Sequence, residues 1–273
     1  ISVDAPVAKV NVANGRALGV TLADGTVVEA RLVAGSVNPR LLYLSMLDAG
    51  DVDAEFRSRI ERWKCGSGTF RMNVALAELP DFTAAPGTHA QAHHRSGILI
   101  APSLDYMDRC WAEARSGGVP SQPIVEMLIP STVDDTLAPP GAHVASLFCQ
   151  HFAPTLPDGR SWDERREEAA DRIVDTVTAY APNFRRAIVG RQVLSPLDLE
   201  RTFGLTGGDI FHGQLSLDQL YSARPVLGYA DYRSPVRGLY LCGSGAHPGG
   251  GVTGAPGHNA AREILRDWPR LRA

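Results

Sequence analysis

Apolar residues at the start of the chain form three short runs that are separated by turn-forming pairs. The runs cover 7–12, 17–22 and 27–34, and Asn14-Gly15 and Asp24-Gly25 lie between them. Asn-Gly and Asp-Gly favour two-residue hairpins because both residues tolerate positive φ. We therefore predict that the chain opens with a three-stranded antiparallel meander.

After Asn38-Pro39 the apolar residues take up helical spacing. They form two short faces: Leu41, Leu42 and Met46, then Phe56, Ile60 and Trp63. Strand-like runs follow at 69–76, 97–101, 124–129 and 143–151. This alternation predicts a sheet with helices in the middle of the chain.

The clearest predicted helix covers 162–181. Ser161 and Glu164 have the spacing of a capping box, in which each side chain bonds a free backbone amide of the first turn. The predicted buried stripe has helical spacing and consists of Ala170, Ile173, Val174 and Val177.

A short buried strand, a glycine-rich loop and a helix are predicted near the end of the chain. The strand covers 238–243, and the segment before it, 204–224, is irregular. The loop 243–254 contains six glycines, and a helix is marked by Ala260, Ala261, Ile264 and Leu265. Glycines let a backbone pass close to a ligand, and free amides at a helix start favour an anionic group. The alternative is a tight connection in which the glycines serve packing.

One G-x-G-x-x-G match lies inside this loop, at Gly249, Gly251 and Gly254. A dinucleotide-binding turn also needs a second strand and an acidic residue about 20 positions further on. The 273-residue sequence ends before either is found. We therefore do not assign this match to an ADP-binding turn.

The stretch 238–254 resembles the C-terminal flavin motif of the phytoene desaturase-like flavoproteins, which are relatives of the amine oxidases. The segments 203–213 and 217–220 support the same resemblance. It implies a mixed α/β fold: later parts of a discontinuous, Rossmann-like FAD domain, together with a substrate domain built on a mixed sheet with helices. The resemblance implies three parts. Residues 1–39 form the meander and return strand of the FAD domain, residues 40–224 form the substrate domain, and residues 225–273 form the last strand, loop and helix of the FAD domain.

The resemblance also implies FAD as the cofactor and suggests which residues bind it. In the family, the residue matching Val7 contacts the adenine through its backbone. The pyrophosphate and ribitol would lie near Gly243, Ser244 and Gly245, and the isoalloxazine would be faced by Gly251, Val252, Thr253 and Gly254. Two features depart from the family pattern. Ser244 occupies a position that is acidic in many relatives, and the N-terminal G-x-G-x-x-G turn is absent. We therefore expect a C-terminal portion that is incomplete and inactive alone.

The implied activity is an FAD-dependent dehydrogenase, oxidase or desaturase that passes hydride from the carbon of a small, apolar organic substrate to flavin. The alternative is a non-catalytic binding or scaffold module that has lost flavin binding. No catalytic residue is assigned. His247 and His212 are candidates because a neutral imidazole can accept a proton, although histidines that bond loop backbone are the preferred interpretation.

Composition and charge limit the classes of partner that we expect this chain to bind. The net charge of −3 provides no basic face for nucleic acid, and no apolar run approaches the roughly 20 residues of a transmembrane helix. Four cysteines without C-x-x-C spacing predict buried thiols in a reducing compartment, either bacterial cytoplasm or mitochondrial matrix. His89, His93 and His94 lack an accompanying carboxylate, so no metal site is expected. Self-association or pairing with an upstream segment is expected.

Overall fold

The structure is a computed structural model that describes residues 1–87 and 89–271. Strands are β1 Val7–Ala13, β2 Arg16–Leu22, β3 Val27–Glu29, β4 Val33–Gly35, β5 Phe70–Leu76, β6 Ile98–Ile100, β7 Ile124–Leu128, β8 His143–Gln150, β9 Ile188–Leu194 and β10 Leu239–Leu241. Helices are α1 Ala54–Glu61, α2 Leu104–Gly117, α3 Trp162–Tyr180, α4 Phe184–Ala187, α5 Pro196–Phe203 and α6 Ala255–Leu271. A π-helical turn covers Leu41–Ser45.

The chain divides into two compact units. Unit 1 consists of Ile1–Ser67 and the residues from Asp209 onward, and unit 2 is Gly68–Gly208. The predicted boundaries were after residues 39 and 224. The segment 40–67 lies in unit 1 because Leu42, Phe56 and Ile60 are buried in the same apolar core as Val10 and Leu239. The assignment of the two units as FAD and substrate domains remains a prediction.

Unit 1 contains the predicted meander as the sheet β1-β2-β3, paired antiparallel throughout. The third apolar run was predicted as one strand, which is wrong in part. It breaks after Glu29, and β4 leaves the meander to pair in parallel with β10, with Val33 opposite Leu239. Parallel partners lie far apart in sequence, so this pairing cannot be inferred from the local apolar pattern.

Unit 2 is built on a five-stranded sheet in the order β6-β7-β8-β5-β9. All of its described strand pairs are antiparallel, so the expectation of a sheet with both parallel and antiparallel pairs is wrong. The mixed α/β fold class is confirmed. β8 and β9 run in the same direction, but β5 is inserted between them, so every adjacent pair is antiparallel. One face is buried against α3, where Ile173, Val174 and Val177 are inaccessible to solvent.

The capping box of α3 is present as predicted. Ser161 Oγ accepts from the Asp163 amide at 3.1 Å, and Glu164 Oε2 accepts from the Ser161 amide at 2.8 Å. The predicted C-terminal helix is present as α6, although its apolar residues are not all buried. Ala260 is buried, but Leu265 is 71% exposed, because α6 packs through the side that carries Pro256, Ala260 and Leu271.

A polar cluster ties α6 to β10 in unit 1. Arg233 donates to both carboxylate oxygens of Asp267, at 2.7 and 3.1 Å, and to Glu263 at 2.7 Å. The Tyr240 hydroxyl donates to Asp267 at 2.8 Å. The bonds and charge of Arg233 hold the pKa of Asp267 below its ordinary value. Two-point guanidinium–carboxylate bonding of this kind is strong because it is charge-assisted and geometrically fixed.

Asp267→Asn tests this cluster. The change removes a charge that Arg233 and Tyr240 both engage, so we expect the free energy of unfolding to fall by about 2 kcal/mol in urea denaturation. Asp48→Asn is the matched control, because the Lys9–Asp48 pair is 46% and 69% exposed, and no measurable change is expected there. Equal losses in both variants would contradict a structural role for the cluster.

Burial lowers the pKa of His151 in unit 2 below the ordinary value of 6.5. Just below pH 6.5 the unfolded chain therefore binds more protons than the folded chain. The free energy of unfolding then decreases as the pH is lowered. We expect the melting temperature to decrease from about pH 7 to about pH 5, and His151→Gln to reduce the decrease. His89→Gln, at an exposed position, should leave the slope unchanged. A slope unaffected by His151→Gln would exclude this residue as a cause.

Candidate functional site

The glycine-rich loop starts at the carboxyl end of β10, whose three residues are almost completely buried. The Cys242 amide donates to the Gly35 carbonyl at 2.9 Å, which extends the parallel pairing to the residue directly before the loop. The loop ends where α6 begins at Ala255. This gives the buried strand, loop and helix that the sequence predicted.

The first glycines of the loop are required by packing inside unit 1. A Cβ on Gly243 would lie 2.6 Å from the Ser36 carbonyl oxygen, and one on Gly245 would lie 2.6 Å from Pro39 Cδ. On Gly250 it would lie 2.3 Å from the Phe211 ring. These distances are shorter than real carbon contacts, so larger residues would push the loop away from its neighbours.

The last residues of the loop have a different environment. Gly254, at φ 71°, has no atom within 4 Å of a Cβ position, and Gly251 has only a Thr253 methyl group nearby. Val252 is fully exposed with φ 55°, a left-handed conformation that β-branched residues rarely adopt. The backbone of 251–254 is therefore open to solvent immediately before the helix.

Arg224 connects this loop to the irregular segment that precedes β10. Its guanidinium is completely buried and donates to the carbonyls of Ser244 (2.7 and 2.9 Å), Phe211 (2.8 Å), Gly213 (3.2 Å) and Gln219 (3.1 Å). Five hydrogen bonds from one side chain therefore hold three backbone stretches together.

The charge of Arg224 is balanced without a direct ion pair in the described structure. Burial lowers the pKa of Arg224 to about 10, and the negative charge of the buried Asp209 opposes this shift. Asp209 itself accepts from the amides of Gly66 at 2.7 Å and Phe211 at 2.8 Å. The Trp63 ring lies 5.1 Å from the guanidinium carbon, within cation–π range. Arg224 thus remains charged near neutral pH.

The two candidate histidines both belong to the stretches that surround this guanidinium. His212 directly follows Phe211, and its carbonyl accepts from Trp63 Nε1 at 3.1 Å, whereas His247 lies inside the loop. The Nδ1 atoms of both rings are buried and have no hydrogen-bond partner among the described residues. Burial lowers the pKa of His212, so its imidazole is neutral near pH 7. Buried ring nitrogens without partners are uncommon in folded proteins.

The remaining predicted cofactor contacts are also in unit 1. Val7 is the half-buried first residue of β1, opposite Leu22. Ser244 is half-buried, and its carbonyl is occupied by Arg224, while the Thr253 hydroxyl accepts from the Ala255 amide at 3.2 Å. Whether Val7 and the loop residues bind one cofactor remains a prediction.

Sequence reasoning missed Arg224 and Asp209. The only signal for Asp209 was its place in the segment 203–213, and no local pattern marks an arginine that bonds carbonyls from three separate stretches. Within residues 1–87 and 89–271, no three histidine, cysteine, aspartate or glutamate side chains are grouped to hold a metal ion. In the same part of the chain, no helix has the length and apolar character needed to cross a membrane.

The residues of the loop fit the flavin that the resemblance implies. The backbone of 251–254 is free of side-chain obstruction and directly precedes a long helix, and the Nδ1 atoms of His212 and His247 are buried without a hydrogen-bond partner among the described residues. Electron-rich or anionic groups are favoured at such a position.

Comparison with known proteins places the chain among oxidoreductases. Pyridine nucleotide-disulfide oxidoreductase domain-containing protein 2 from Rattus norvegicus is 47% identical over 272 residues, which cover 97% of this chain and 47% of the rat protein. A lycopene-forming phytoene desaturase from Pseudescherichia vulneris is 26% identical over 93% of this chain and 48% of that enzyme. The chain thus spans about half the length of the curated relatives it matches. No protein-family model matches it.

Solved structures agree on the fold. An oxidoreductase from Methanosarcina mazei superposes with a TM-score of 0.59 at 16% identity, over 95% of this chain and 48% of that one. A double mutant of putrescine oxidase gives 0.55 at 15% identity, over 96% and 48%. Together with the sequence matches, these likenesses make the chain a homologue of pyridine nucleotide-disulfide oxidoreductase domain-containing protein 2 across about half of that protein's length.

Proposed function

We propose that this chain supplies one part of the flavin site of an FAD-dependent oxidoreductase. The observation that carries the proposal is the open backbone of 251–254, held between a fully buried strand and the start of α6. The names of the relatives support redox chemistry. Because the chain spans about half of their length, the activity of the whole protein is part of the proposal.

In this proposal the loop has two functions that are divided along its length. Gly243, Ser244 and Gly245 fix the loop against Ser36 and Pro39 and would lie along the pyrophosphate and ribitol. Gly251, Val252, Thr253 and Gly254 would form the backbone surface for the isoalloxazine, with Val7 contributing its backbone to the adenine. Substitutions near Gly243 should therefore affect folding, whereas substitutions near Gly254 should affect binding.

Bound FAD would supply the acceptor for a hydride that leaves a substrate carbon. The chain's own contribution is to bind and orient. Arg224 keeps the Ser244 carbonyl and the 211–213 backbone in fixed positions, and neutral His212 is able to accept a hydrogen bond or a proton through its free ring nitrogen. The substrate is proposed to be small, apolar and organic.

A non-catalytic binding module is the second candidate. The observation in its favour is that Gly243, Gly245 and Gly250 are all explained by packing within unit 1, so their presence does not require a cofactor. The two candidates differ in one measurable property, which is flavin binding.

Flavin binding is tested by the visible absorption spectrum of the purified protein, with Gly254→Ala and Gly159→Ala as a matched pair. Both glycines are exposed, have φ of 71° and 75°, and leave a Cβ without neighbours within 4 Å. Each change should therefore cost about 1 kcal/mol of backbone strain. We expect Gly254→Ala to lower FAD affinity at least about tenfold and Gly159→Ala to leave it unchanged.

Two outcomes would decide against the proposal. If the full-length protein contains no flavin and takes up none when FAD is supplied, the flavin proposal is wrong and the binding-module function is favoured. If FAD binds but the two alanine variants bind it equally well, the open part of the loop is not its site.

Arg224→Lys tests whether the buried guanidinium positions the loop. A lysine cannot reach four carbonyls at once, so we expect a loss of roughly 3 kcal/mol in the free energy of unfolding. Backbone amide exchange should accelerate in 211–219 and 243–250 more than elsewhere in unit 1. Arg201→Lys, at a 55% exposed arginine, is the control and should change neither quantity. Uniform acceleration across unit 1 would contradict a local positioning role.

A further inference from the structure

The sheet of unit 2 has a second face that is only partly covered. Residues on its buried face, such as Met72 and Leu147, pack in the core, and their neighbours along each strand point the other way. On this outer face, α2 covers one end, where Tyr106 and Cys110 pack on Ile124. The next row includes Leu99, which is 62% exposed, and Glu126, which is also exposed.

That row runs across all five strands. Strand pairing puts Leu99 of β6 opposite Glu126 of β7, then Phe148 of β8, Arg71 of β5 and Leu194 of β9. An aromatic ring therefore lies between one basic and one acidic side chain on a continuous surface.

Among the described residues, the partners of Arg71 on this surface are Phe148 and Ser146, which are both uncharged. Its guanidinium carbon lies 5.3 Å from the Phe148 ring centre, and its Nη2 donates to Ser146 Oγ at 3.0 Å. No carboxylate forms an ion pair with it in the part of the chain that the structure describes. A half-buried guanidinium has lost part of its hydration and carries several donors, so an anion at this point would be bound by charge-assisted bonds.

Apolar groups adjoin the same point. Leu128, on the row beside Phe148, is 55% exposed, and Leu99 is 62% exposed. Isolated exposed leucines are ordinary, but Leu128 continues the aromatic surface that begins at Arg71, whereas Leu99 lies on the far side of Glu126. Glu126 is exposed and lies two strands, or about 10 Å, from Arg71. Its charge disfavours a second anion there and leaves the Arg71 side for the acidic group.

We propose that this face, defined by Arg71, Ser146, Phe148 and Leu128, binds a small apolar carboxylate. The carboxylate would accept from Arg71, and the hydrocarbon or aromatic part would cover Phe148 and extend toward Leu128. The opposite signs of Arg71 and Glu126 fix the direction in which the molecule lies. This site goes beyond the proposed flavin function and does not depend on it.

The test compares phenylacetate with phenylacetamide, which share the ring and differ in charge. Both are titrated into the purified protein by calorimetry, and phenylacetate is titrated again at high salt. We expect phenylacetate to bind at least about tenfold more tightly than the amide, with weaker binding as salt rises. Flavin content is measured on the same samples, so failure of this site is distinguishable from failure of the flavin proposal.

Arg71→Gln should abolish the preference for the carboxylate, and Arg71→Lys should retain part of it. Arg186→Gln is the matched control, because it removes the same charge from unit 2 at a 77% exposed position. Thermal unfolding of each variant shows that it is folded. Equal binding of the two probes, no binding of phenylacetate, or an Arg71→Gln variant that keeps the preference would overturn the proposal and leave Arg71 as a packing residue for Phe148.

Discussion

A buried cation without a direct counter-ion places a strong constraint on unit 1, because its charge must be satisfied by hydrogen bonds wherever the chain provides them. Arg224 meets this constraint with the carbonyls of Phe211, Gly213, Gln219 and Ser244. Irregular backbone would otherwise leave such carbonyls unpaired in the interior. The same five bonds therefore satisfy the arginine and fix the segments that surround the glycine-rich loop.

The loop is consequently closely packed at its beginning and open at its end. Gly243, Gly245 and Gly250 approach neighbouring backbone or rings so closely that a side chain would not fit, whereas Gly254 faces no protein atom. A glycine-rich motif thus combines two different physical requirements. Close packing holds the first residues in position, and the absence of side chains on the last ones leaves backbone accessible to a ligand.

Unit 2 uses its sheet differently on its two faces. The face against α3 is an apolar core, in which the alternate buried residues of the strands pack with Ile173 and Val177. The other face combines Phe148 with Arg71, a charged residue that the core could not accommodate without a partner. Polar groups on a sheet face of this kind are compatible with stability only while solvent or a ligand reaches them.

The sequence by itself determined the elements whose signals are local: the meander with its Asn-Gly and Asp-Gly turns, the capped helix α3, and the strand, loop and helix around Gly243–Gly254. Periodicity, turn chemistry and capping depend on residues within a few positions of each other. Tertiary structure alone decided the pairing of β4 with β10, the position of the unit boundaries, and the burial of Arg224 and Asp209. These features join residues such as Trp63 and His212, which lie far apart in the chain and meet only when the core closes.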